Sequence, residues 1–124
     1  MAHFPIRFDG AYRLVSTLLL LPPSGAYVEV DGDEVHVRMS WAFRSVFSRR
    51  AVVSASEIQI RPLSRGVHGF RGRWLVNGSG QGIVRVELAP PQRAHVMGFP
   101  IRLRQLMVSV EDPAALASAL TASA

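Results

Sequence analysis

Alternation of apolar and polar residues puts successive side chains on opposite faces of a strand, and this period of two dominates the chain from Ala26 to Val110. In AYVEV, Ala26, Val28 and Val30 point one way and Tyr27 and Glu29 the other. DGD at 31–33 predicts a turn, since Asp and Gly tolerate positive φ. EVHVRMSW follows, with Val35, Val37, Met39 and Trp41 on one face and His36, Arg38 and Ser40 on the other. The two runs predict a hairpin. AFRSVFSRRAVV, 42–53, predicts a third strand with a bend or bulge near Ser48 to Arg50, and SEIQIRP a fourth with Ile58 and Ile60 inward, stopped by Pro62.

A glycine-rich loop, LSRGVHGFRG, comes next, and then RWLVNGSGQGIVRVEL, residues 73–88. Trp74 and Val76 share one face before the glycines; Val84, Val86 and Leu88 share one after them. A phosphate-cradling glycine loop must open a helix, and this run leads into a strand pattern and lacks the G-K-[ST] ending. Asn77-Gly78 therefore predicts a hairpin turn between two strands. Pro90 and Pro91 interrupt the alternation, which resumes in two pieces of opposite parity: Ile101 and Leu103, then Leu106, Val108 and Val110. That change implies a kink near Arg104 and Gln105.

The last segment changes character. In EDPAALASAL, Asp112 suits a helix cap, Pro113 the first helical position, and Leu116 and Leu120 fall four apart on one face. A closing helix over 112–121 follows, with a frayed TASA end. The stretch Ala11 to Leu21 is ambiguous between strand and short helix, with the helix favoured, and ends at Pro22 and Pro23. These elements predict a mainly β fold, a small antiparallel barrel of about seven strands plugged at one mouth by Leu116 and Leu120. One domain over 1–124 is expected, with 1–25 an extension packed on the barrel, 26–110 the strands and 112–121 the helix.

Three stretches, YVEVDGDEVHVRM, GVHGFRGRWLVNGSGQGIVRVEL and VMGFPIRLRQLMVSVEDPAALASAL, resemble an actinobacterial family of unknown function akin to bacterial pleckstrin-homology-like domains. The ending VSVEDPAALASAL is similar to the strand-to-helix junction of those domains, with Ser109, Asp112 and Pro113 launching the closing helix. The resemblance covers most of the chain after about Tyr12. It implies a PH-like barrel with no established enzyme activity. Eukaryotic relatives of the fold bind phosphoinositide head groups through a basic first hairpin loop; here that loop is the acidic DGD.

Composition narrows the chemistry. The 124 residues are 48% hydrophobic and 19% charged, which suits a folded globular chain with a core of its own. Cysteine is absent, which removes disulfides, thiolate nucleophiles and cysteine-based metal sites. YRLVSTLLLLPPSGA loosely resembles a secretory signal, but Ser16 and Thr17 break its apolar run, which is far short of the roughly 20 residues that span a bilayer. The expectation is a soluble, cytoplasmic protein without a transmembrane segment.

The net charge is +5, and all 14 basic residues are arginine. An arginine-only set fits a GC-rich coding sequence, and it also fits recognition of phosphate or carboxylate by guanidinium forks. The candidate anion-binding residues are Arg49 and Arg50 at the bend, Arg71 and Arg73 before Trp74, and Arg102 and Arg104 near the helix. The four histidines have no metal-ligand spacing, no G-x-S-x-G elbow occurs, and Asp31, Asp33 and Glu34 form a solvated turn cluster. No catalytic residue, metal ligand or cofactor is assigned, and the chain is not expected to be an enzyme. The expected function is a non-catalytic binding or scaffolding module that holds a protein or peptide along a sheet edge or beside the helix, with a homo-oligomer compatible with it. The alternative is an arginine-driven anion-binding module for membrane head groups or nucleic acid.

Overall fold

Two long bent strands organise the computed structural model, which describes residues 2–9, 25–59, 66–77, 79 and 81–121. The strands in chain order are β1 (Ala2–Pro5), β2 (Ala26–Asp31), β3 (Glu34–Met39), β4 (Phe43–Ser48), β5 (Val52–Ile58), β6 (Gly66–Phe70), β7 (Arg73–Asn77), β8 (Ile83–Val96) and β9 (Phe99–Ser109), followed by helix α1 (Pro113–Thr121). They form one sheet in the order β1-β2-β3-β4-β8-β9-β7-β6, with β5 also paired to β8. The segment 11–21, Ile60 and the terminal TASA lie wholly or largely outside the described residues.

β8 and β9 belong to both halves of this sheet. Residues 83–88 of β8 pair with β5, whereas 94–96 pair with β4. The corner falls at Pro90 and Pro91, which have no N–H to donate, and the β8–β9 register shifts there, between Glu87 and Gln92. On β9 the corner falls at Arg104. Leu103 and Leu106, of opposite parity, are both buried, so the predicted kink is present. The carbonyl of Gly72 holds it by accepting the N–H groups of Arg104 and Gln105 at 2.7 and 3.1 Å.

The sheet corrects the expectation of a closed barrel. It is an open half-barrel, because no ladder among the described residues joins its end strands β1 and β6. An isolated bridge, Ile6 to Val110, ties the chain after β1 to the end of β9, with the Arg7 N–H donating to the Ser109 carbonyl at 2.9 Å and the Glu111 N–H to the Pro5 carbonyl at 3.1 Å. Helix α1 packs against β5 and β8, and Leu116 and Leu120 enter the core. Its start is as expected: the Asp112 side chain accepts the Ala115 N–H at 3.2 Å.

Purely antiparallel pairing is also corrected, for β7 runs parallel to β9. So is the hairpin predicted over 73–88. β9 lies between β7 and β8, so the two strands on either side of this glycine-rich run are not neighbours. Gly82, at φ +69, gives its carbonyl to the Val110 N–H at 2.9 Å, and a Cβ there would collide with the Val110 carbonyl oxygen. The real turn before Trp74 is Arg71-Gly72, at φ +54 and +81, inside the stretch expected to be a loop; it joins β6 to β7. Gly69 is needed here because the Trp74 indole lies across it.

The β2–β3 hairpin forms as predicted, with Gly32 at φ +60. Ala26, Val28, Val30, Val35, Val37 and Met39 are buried, but Trp41 is not: it sits in the β3–β4 turn, past the alternating run, and is 52% exposed. A bend does follow Ser48, but it is a 3-10 turn, Arg49–Ala51, that ends β4, so the strands expected over 42–53 and 56–62 are redrawn as β4 and a β5 that runs from Val52 to Ile58.

Met97 and Gly98 form the β8–β9 turn, at φ +51 and +85. Positive φ at both central residues is the geometry that favours Asn-Gly. Met97→Asn therefore removes part of a left-handed penalty and raises stability by about 0.5–1 kcal/mol. A chemical-denaturation midpoint that stays put or falls would contradict this.

Candidate anion-binding face

Outward positions on a strand are every second residue, and four neighbouring strands put arginine there. Arg38 on β3 stands opposite Arg44 on β4, Arg44 opposite His95 on β8, and Arg93 on β8 opposite Arg102 on β9. All four arginines are exposed, while the residues between them, Val37, Ser45, Ala94 and Leu103, are buried beneath. Directly opposed side chains have Cβ atoms about 4.5–5.5 Å apart, close enough for like charges to repel.

The seam between β4 and β8 sets this spacing. Their ladder ends at Ser45 opposite Ala94, and the Ser45 hydroxyl extends it by donating to the Arg93 carbonyl at 2.8 Å. Ser45 is only 3% exposed. Shallow concavities lie along the row: one of about 200 Å³ among Arg44, Val46, Arg93 and His95, and one of about 440 Å³ among Pro91, Gln92, Arg93, Pro100 and Arg102.

Counter-charge is sparse. Among the described residues, none of Arg38, Arg44, Arg93 and Arg102 lies within ion-pair distance of a carboxylate; the acids toward the β1 side are engaged by histidine, Glu34 with His36 at 3.5 Å and Glu29 with His3 at 3.2 Å. Arg38 Nε instead donates to the Ser40 carbonyl at 3.4 Å. The other half of the sheet differs. There Glu87 takes both Arg85, at 3.7 Å, and the Gln105 amide, at 2.7 Å.

The residues singled out from sequence are dispersed. Arg49 is half-buried and donates to the Ala119 carbonyl at 3.3 Å, which satisfies an end-group of α1. Arg50 faces Asp33 at 3.6 Å, and Asp33 also accepts the Ser48 hydroxyl. Arg71 lies in the β6–β7 turn and Arg73 opens β7 opposite Gln105, while the Arg104 side chain lies against Gly72 between them. Arg102 alone of the six joins the face described above. Sequence reading missed Arg38, Arg44 and Arg93, and His95 among them, as members of this face. Arg38 stood on a visible outward position, but Arg44 lies in a run that alternates poorly, Arg93 and His95 lie where Pro90 and Pro91 break the pattern, and nothing local says which strand lies beside which.

Among the described residues no group of three or more metal-ligating side chains converges, and no helix is long and apolar enough to cross a membrane. Comparison with protein-family models, curated proteins and solved structures finds no significant match, so the likeness to bacterial pleckstrin-homology-like domains rests on the quoted segments alone.

Proposed function

We propose that the protein is a non-catalytic module that binds phosphate-bearing, anionic ligands on the outer face formed by β3, β4, β8 and β9. The supporting observation is the register itself: Arg38 opposite Arg44, and Arg93 opposite Arg102, without a carboxylate paired to any of them among the described residues. Like charges opposed on neighbouring strands cost roughly 0.2–1 kcal/mol per pair. A bound anion offsets that cost, and guanidinium groups suit phosphate through their fork of donors.

A peptide held along a sheet edge has weaker support. The edge strand β6 has glycine at two of its five positions, Gly66 and Gly69, which weakens pairing and removes side chains that would select a partner. Helix α1 packs against β5.

Binding to soluble polyphosphate and to phosphatidylglycerol vesicles should be present at low salt and fall steeply as salt rises. Arg44→Glu with Arg93→Glu should lower affinity about a hundredfold or more, while the unfolding midpoint holds or rises, because each glutamate then faces an arginine. Arg50→Glu, away from the face, should leave affinity nearly unchanged. Absence of binding to both probes at low salt, or an undiminished affinity in the double variant, would overturn the proposal.

A further inference from the structure

The end of the sheet beside the arginine face carries three large exposed apolar side chains. Trp41 is 52% exposed in the β3–β4 turn, Met97 is 57% exposed in the β8–β9 turn, and Phe99, 74% exposed, follows it. The two turns are joined, since the Met97 N–H donates to the Ala42 carbonyl at 2.9 Å. Trp41 and Gly98 line one concavity of about 240 Å³ together with Arg38, Arg44 and His95. Trp41 and the basic face thus share one surface, while Phe99, of the same parity as the inward Ile101 and Leu103, stands at the same end of the sheet on its other face.

We infer that this end docks onto an anionic lipid bilayer, with Trp41, Met97 and Phe99 entering the interface and the arginines meeting lipid phosphates. The inference rests on the anion-binding reading above and adds the source of the anion. Depth supports a bilayer. Phe99 is level with Val96 and Phe43; Arg44 and His95 stand one residue further back, and Arg93 and Arg102 three residues back. At 3.3–3.4 Å per residue those rows lie about 3 Å and about 10 Å behind Phe99. Interfacial elements sink about 5–10 Å into the headgroup boundary, so a tip inserted that far brings both rows to the level of the phosphates.

The apolar side chains also discriminate. A single-stranded nucleic acid calls for aromatic rings among the cations, as stacking platforms. Here Val46 and Pro100 occupy the outward positions beside the arginines, and the rings stand at the tip. An indole at the water–lipid boundary is a favoured placement. The position is unrelated to the acidic DGD turn, which lies at the opposite end of β3.

The test compares full-length protein with Met97→Asn plus Phe99→Ser. Flotation with phosphatidylcholine vesicles, with and without phosphatidylglycerol, reads partitioning. Soluble polyphosphate reads anion binding alone. In a Trp74→Phe background, the fluorescence of Trp41 reads insertion. The expected result is binding only to the anionic vesicles, a blue shift of Trp41, and quenching by lipids brominated near the headgroup. The double variant should partition at least about tenfold more weakly, with polyphosphate affinity unchanged and folding intact.

Vesicle binding that is indifferent to the double substitution overturns the docking. So does polyphosphate or nucleic-acid binding without vesicle binding, and in both cases the anion reading stands. Loss of binding to vesicles and polyphosphate alike in the wild type overturns both.

Discussion

Gly82→Ala is expected to lower folding stability by about 3–4 kcal/mol. The backbone at Gly82 is left-handed, at φ +69, which costs an alanine roughly 1–2 kcal/mol. The added Cβ would also collide with the Val110 carbonyl oxygen, and relieving that collision pulls away the Gly82 carbonyl that accepts the Val110 N–H at 2.9 Å. Val110 is fully buried, so its N–H would lose a partner that water does not replace. Chemical denaturation measures the loss. A change under about 1 kcal/mol would mean that the connection passes clear of β9, against the topology described here.

Phe43→Ala should cost about 3–5 kcal/mol. Phe43 is completely buried, stands opposite Met39 on β3 and Val96 on β8, and thus fills the core where the two strands adjoin β4. Only three residue pairs, from Phe43 to Ser45, join β4 to β8. A cavity at this seam should therefore loosen the spacing of Arg44, His95 and Arg93 as well. Phe43→Leu, which keeps most of the volume, should cost markedly less. Equal losses in the two variants, read from denaturation midpoints, would show that the site is not tightly packed.

Much of the fold was readable from local pattern. Alternation placed β2, β3 and the inward residues of the first half of β8 and of β9, since a half-buried strand must show it whatever its neighbours are. The parity change between Leu103 and Leu106 located the corner in β9, and Asp112-Pro113 located the start of α1. Turn chemistry misled at Asn77-Gly78. That dipeptide is a strong hairpin signal, yet the hairpins on either side of it use Arg71-Gly72 and Met97-Gly98. A turn dipeptide marks where a chain readily changes direction, and it carries no information on whether the strands before and after it become neighbours.

The candidate site was less readable. Arg49 and Arg50 are adjacent in the chain and stand out for that reason, but one is tied to the end of a helix and the other faces Asp33. The arginines that come together are separated by as many as 64 positions, from Arg38 to Arg102. Their proximity depends on β4 meeting the second half of β8, a contact with no local signature.

By itself the sequence determined the β2–β3 hairpin, the first half of β8, most of β9 and their inward residues, where the terminal helix begins and that the charge excess is entirely arginine, because these follow from spacing and side-chain chemistry along the chain; β1, β6 and the second half of β8 carry no such alternation. Only the tertiary structure decided that β7 runs parallel to β9, that the sheet stays an open half-barrel, and that four arginines share one outer face beside an exposed apolar tip. Strand alternation has the same period whichever neighbour a strand takes, so pairing and register arise from long-range packing and not from local pattern.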